Sequence, residues 1–67
     1  MTLDDFCMLL DVAKVPWFRA ELSRTRGGYQ AVVRAANNRL HIGVGVNALG
    51  AADKCIADAQ LSGKPWA

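Results

Sequence analysis

Tyr29-Gln-Ala-Val-Val-Arg-Ala-Ala-Asn-Asn-Arg-Leu-His-Ile-Gly-Val-Gly-Val46 reads as two β-strands closed by a tight Asn37-Asn38 turn, because asparagine tolerates the positive φ that such turns need. Alternation on either side of a two-residue turn puts Tyr29, Ala31, Val33, Ala35, Leu40, Ile42, Val44 and Val46 on one face. Arg34, Arg39 and His41 then fall on the other. Gly43 and Gly45 share the face of Arg39 and His41, and a strand interior without side chains invites the close approach of another group, or marks a bulge.

Upstream of this hairpin, residues 17–24 also alternate. Phe18, Ala20 and Leu22 form one side, and Trp17, Arg19, Glu21 and Ser23 the other. The connection Arg24-Thr25-Arg26-Gly27-Gly28 is a turn rich in glycine and cations. Three strands over 17–24, 29–36 and 39–46 therefore form an antiparallel meander.

Helices flank the meander. Thr2 and Asp5 have the spacing of a capping box, and Leu3, Phe6, Cys7, Leu10 and Ala13 follow at helical intervals, widened by Met8, Leu9 and Val12. Pro16 disfavours helical geometry at Val15, so this helix spans 2–14. Asn47 is a good N-cap for a second helix over 48–62, whose stripe of Ala48, Ala51, Ala52, Cys55, Ile56 and Ala59 is built mostly from small residues and suits close approach to a sheet. Asp53, Lys54 and Asp58 are expected outside. Gly50 in its first turn implies crowding there or a frayed start. Gly63 and Pro65 are stop signals for a short tail, 63–67, in which Trp66 folds back over the core or anchors a partner.

The reading is one α+β domain of order α-β-β-β-α, a three-stranded antiparallel sheet with both helices packed on one face. A chain of 67 residues buries only about 60% of its unfolded surface, so a homodimer would add useful burial. Cys7 and Cys55 lack metal-ligand spacing and read as buried thiols in a reducing compartment. No basic n-region precedes the apolar run Phe6–Leu10, and the longest uncharged stretch, Leu40–Ala52, falls short of the ~20 apolar residues of a membrane span. The expected location is the cytoplasm, with no cofactor, metal or membrane partner.

Charge is segregated along the chain. The five arginines lie between Trp17 and Val46 against Glu21 alone, a balance of +4, whereas the flanks carry Lys14, Lys54 and Lys64 against five aspartates, a balance of −2. Such a split is one footprint of an anionic partner. The candidate contacts are Arg19, Arg24, Arg26, Gln30, Arg34, Arg39 and His41, and DNA is favoured over RNA. The alternative is a protein-interaction module, such as a small phage-type inhibitor, that docks on an acidic or nucleic-acid-binding protein. Catalysis is not expected, because His41 has neither a nucleophile nor an aspartate that spacing would place beside it.

The strand Tyr29-Gln-Ala-Val-Val-Arg34, the strand Arg39-Leu-His-Ile-Gly43 and the helix start Asn47-Ala-Leu-Gly-Ala-Ala52 resemble the β-β-β-α DNA-binding domains of Apetala-type plant transcription factors and of phage-integrase arm-site domains. The resemblance implies a sheet in the major groove, with Arg19, Arg34, Arg39 and His41 at bases and phosphates. The sequence departs from that pattern in Val32-Val33-Arg34, in His41 where a tryptophan is expected, and in its extra N-terminal helix. The α-β-β-β-α order, Pro16-Trp-Phe18 and Gly43-Val-Gly45 are also similar to a double-stranded-RNA-binding domain. The lysine cluster with which that family reaches phosphates is replaced by Ala48-Leu-Gly-Ala-Ala52, so this resemblance implies the fold with a degenerate RNA site.

Overall fold

The computed structural model describes residues 1–62, the side chain of Ser62 excepted; the expected stop at Gly63 and Pro65 and the placement of Trp66 lie outside the described residues. The order is α1 (Leu3–Val12), β1 (Trp17–Thr25), β2 (Gly28–Ala35), β3 (Leu40–Gly45) and α2 (Ala48–Ser62), with β2 at the centre of an antiparallel sheet. Both helices pack against the sheet, and together they close one core of Phe6, Leu10, Val15, Ala31, Val33, Ala51, Ala52, Cys55 and Ala59. No helix among the described residues is long and apolar enough to cross a membrane.

Local chemistry sets the helix ends. The Thr2 hydroxyl accepts from the Asp5 N–H at 3.2 Å, and the Asp5 carboxylate accepts from the Thr2 N–H at 2.9 Å, a complete capping box. Hydrogen bonding from the Thr2 backbone holds the Asp5 carboxyl below its ordinary range. The stabilisation it confers is present above the unfolded-state value and fades as pH falls through the folded one. Helix α1 ends in a Schellman arrangement: the Lys14 N–H donates to the Asp11 carbonyl and the Val15 N–H to the Leu10 carbonyl, both at 3.0 Å. Val15 and Leu10 are both buried there, completing the apolar contact of that motif. Lys14 adopts φ 59°, the left-handed position that glycine usually fills.

At α2, the Asn47 side-chain oxygen accepts from the Gly50 N–H at 2.7 Å, as expected of its N-cap. The crowding inferred at Gly50 is also present, since a Cβ there would come within 3.2 Å of that oxygen.

The hairpin from β2 to β3 departs from expectation by one residue. Arg34 pairs with Leu40, so three residues, Ala36, Asn37 and Asn38, make the loop instead of two. Asn38 takes φ 70°, the Asn38 N–H donates to the Ala35 carbonyl, and the Asn37 side chain accepts from the Arg39 N–H. A turn followed by a left-handed residue is a regular three-residue hairpin loop. The extra residue inverts every side chain of β3 relative to the expected register. Val33, Ala31 and Tyr29 of β2 keep their inward side, but they now pair with His41, Gly43 and Gly45. Leu40, Ile42 and Val44 face outward.

The inversion follows from how α2 packs. A Cβ added to Gly43 would lie 2.2 Å from the Cys55 nitrogen and 2.3 Å from the Ala51 carbonyl oxygen, and one at Gly45 would lie 2.6 Å from the Ala51 nitrogen. The helix backbone thus rests on the glycine backbone of β3, and a strand face bearing Leu40, Ile42 and Val44 could not be seated there.

A second inversion occurs at the start of β1. Trp17 pairs with Ala35 and Arg19 with Arg34, which makes Phe18 the extra residue of a bulge. Trp17, expected outside, packs against the core and donates its indole N–H to Asp11 at 3.0 Å. Phe18, expected inside, is exposed, as are Met8 and Val12 of α1.

Three substitutions test the α2–β3 packing and the end of α1. Gly43→Ala should cost at least about 3 kcal/mol or abolish folding, because the clash is with helix backbone, whereas Gly27→Ala, with open space around it, should stay within about 1 kcal/mol of wild type in urea denaturation. Lys14→Gly should stabilise by about 0.5–1 kcal/mol, the left-handed penalty less the added chain entropy, and raise the thermal midpoint by roughly 2–8 °C.

Candidate interaction face

The side of the sheet away from the helices is open, and the strand registers define its rows. Arg19, Arg34 and Leu40 lie side by side across the three strands; Glu21, Val32 and Ile42 form the next row, and Ser23, Gln30 and Val44 the third. Leu40, Ile42 and Val44 are 50%, 49% and 53% exposed, and with Val32 they make an apolar strip along edge strand β3. A shallow depression of about 290 Å³ lies between Arg19, Glu21, Val32, Arg34 and Leu40. The face is therefore divided, aliphatic on β3 and charged on β1.

Of the seven candidate contacts, Arg19, Gln30, Arg34, Arg39 and His41 are expected on the open face and Arg24 and Arg26 in the turn; the structure disperses them further. Arg19 and Arg34 are on the open face, with Gln30 in the third row. Arg19 lies 3.6 Å from Glu21, and both side chains are largely in solvent, which makes the pair a weak one. Arg34 extends its Nη1 to the Asn38 side-chain oxygen at 3.2 Å and to the Asn38 carbonyl at 3.4 Å, fastening the hairpin loop. Arg24 pairs with Tyr29, whose register places it on the helix side, and its guanidinium sits 5.9 Å from the Tyr29 ring centroid. Arg26 occupies the turn between β1 and β2, and Arg39 the opposite end of the sheet, exposed and sharing the parity of His41.

His41 is not on the open face. It is 2% exposed, directed at α2, and its Nδ1 lies 2.9 Å from the Asp58 carboxylate. The Asp58 side chain, expected in solvent alone, thus ties α2 to β3. The Cys55 thiol donates to the His41 carbonyl at 3.4 Å, and burial pushes its pKa up to about 11, with Asp58 adding to the effect. A thiol held protonated in this way is the reverse of an activated nucleophile. The partly exposed Cys7 thiol is raised too, first by burial and then by Asp4 and Asp11. His41, Asp58 and Cys55 therefore form a joint between helix and sheet. Among the described residues, no cluster of three or more histidine, cysteine, aspartate or glutamate side chains could hold a metal ion.

The exposed aliphatics of β3 are the surface that alternation alone assigns to the core. The signal that identifies them is the coincidence of Gly43 and Gly45 with the alanine stripe of α2: a helix with small side chains needs a strand face with none.

Substitutions of adjacent β3 residues separate the two faces. Ile42→Lys should cost under about 1 kcal/mol, as for an exposed site, while His41→Ala should cost about 2–4 kcal/mol through a cavity and a lost charge-assisted bond. Chemical denaturation of both variants reads the difference; the two-residue-turn register predicts the opposite order.

No known protein family, curated protein or solved structure matches this chain.

Proposed function

We propose that this chain is a non-catalytic protein-interaction module that docks through its open sheet face. The observation that carries the reading is the strip of Leu40, Ile42 and Val44, each about half exposed beside Val32. Contiguous apolar surface of this kind, bordered by charge, marks a site of protein association. Arg19, Glu21 and Arg34 form its polar border and set the orientation of what binds. We place the module in the cytoplasm, where its two free thiols stay reduced.

Binding of DNA to the same face is the second reading, supported by Arg19 and Arg34. It has less behind it than the charge pattern of the sequence implies. Two cations beside Glu21 leave a net +1 on the face, Arg34 is engaged by Asn38, and the groove-facing strand of such a complex would be aliphatic. Arg24, Arg26 and Arg39 lie elsewhere, at opposite ends of the sheet.

Affinity capture distinguishes the two. Tagged chain, in cells that also express the untagged chain, should retain a stoichiometric protein after nuclease treatment, and Ile42→Arg should lose it. Capture that vanishes with nuclease, together with a DNA mobility shift that weakens with salt and with Arg19→Ala plus Arg34→Ala, would replace docking by DNA binding.

A further inference from the structure

We infer that the partner seated on the open face is a second copy of this chain, packed sheet to sheet about a two-fold axis; the inference rests on the docking reading and names its occupant. The argument is the spacing of charge and aliphatic side chains on the face. Arg19, Arg34 and Leu40 form one row and Glu21, Val32 and Ile42 the next. An axis perpendicular to the strands and passing between these rows lays each strand antiparallel over its own copy.

Arg19 then stands opposite the second copy's Glu21, and Leu40 opposite its Ile42. Arg34 stands opposite Val32, offering its aliphatic stem while Asn38 holds its guanidinium towards the hairpin loop. Each of these contacts occurs twice, as symmetry requires.

Other occupants fit less well. An acidic protein or a nucleic acid drawn by Arg19 and Arg34 brings negative charge onto Glu21, which is exposed between them and the end of the face. A second copy brings an arginine to that place. Sheets pack about 10 Å apart with strands nearly aligned, the separation that aliphatic side chains from both sides fill.

The area sets the strength. Eight residues of β2 at about 3.3 Å each and three strands about 4.8 Å apart give a face of roughly 25 by 15 Å, which with its copy is below the ~1,200 Å² at which stable specific interfaces begin and in the range of weak, transient ones. The dimer is consequently weak and dissociates reversibly as the protein is diluted.

Sedimentation equilibrium and light scattering on the full chain, from low micromolar to millimolar concentration, test this. Wild type should shift from monomer to dimer across that range, and Ile42→Arg should remain monomeric with an unchanged circular dichroism spectrum. Arg19→Glu should raise the dissociation constant about tenfold or more, by setting carboxylates against each other at both symmetry-related positions. Combining it with Glu21→Arg should bring the constant back to within about threefold of wild type, because the exchange restores opposite charges across the axis.

A wild type that stays monomeric at millimolar concentration overturns the inference, as does a dimer untouched by Ile42→Arg or a double variant as weak as Arg19→Glu alone. A monomeric wild type whose captured partner is a different protein, lost on Ile42→Arg, overturns self-association and leaves the docking reading standing.

Discussion

The backbone of α2 rests directly on the backbone of β3, and most of the remaining structure is arranged around that contact. Seating a helix this closely demands that both partners give up side chains: Gly43 and Gly45 on the strand, Ala48, Ala51 and Ala52 on the helix. The contact then dictates parity. Once the glycines face inward, His41 must follow them and Leu40, Ile42 and Val44 must face out, since side chains alternate without exception along a regular strand. The three-residue loop and the left-handed Asn38 are how the chain meets that demand from the other end of the hairpin. His41 gains the Asp58 carboxylate as compensation for burial, so the imidazole drawn against the core reinforces the same junction.

Features governed by neighbours in sequence were legible from it. The capping box at Thr2 and the N-cap at Asn47 need only residues three positions apart, and both form as spacing implies. The α+β architecture, the order of elements and the inward face of β2 follow from hydrophobic periodicity, which the core respects at Phe6, Leu10, Ala31 and Val33. The faces of β3 and of the start of β1 were not legible by the same means. Hydrophobicity alone ranks Leu40, Ile42 and Val44 above His41, Gly43 and Gly45 as core, and an Asn37-Asn38 pair suits a two-residue or a three-residue loop equally. Trp17 and Phe18 are a similar case: two large aromatics compete for one inward position, and the bulge awards it to the residue whose indole N–H reaches Asp11. In both places the deciding partner lies outside the strand, on the neighbouring helix, α1 for Trp17 and α2 for β3, where the strand's own alternation carries no information about it.

Charge shows the same gap between one dimension and three. Arginines crowded into the central segment give it +4, a figure that says nothing about which face each one occupies. Folding sends them to two ends and two faces, and it uses two of them structurally: Arg34 fastens the Asn38 loop and Arg24 stands over the Tyr29 ring. Arg19 and Arg34 alone are left of the sheet-face set that alternation assembled with Arg39 and His41. Clusters in sequence become clusters in space only where residues alternate on one strand or recur on one helix face, and here the arginines of β1 and β2 fall on both parities.

Why a small domain leaves aliphatic side chains half exposed is then a question of what the core can accept. At positions 43 and 45 the space between α2 and β3 is closed by helix backbone, so the helix side of the strand has no room for branched residues there, and the aliphatics that favour a strand sit on the other side. A β3 with polar residues at 40, 42 and 44 would satisfy the core equally well, because none of these side chains enters it. Their apolar character therefore contributes little to the stability of the isolated fold and leaves the edge strand open to unwanted pairing, a liability that lysine or proline on an edge ordinarily suppresses. A sheet face that keeps this composition beside Arg19 and Glu21 gains from it only when covered, and covering it supplies the additional burial that a chain of 67 residues cannot obtain from its own two helices.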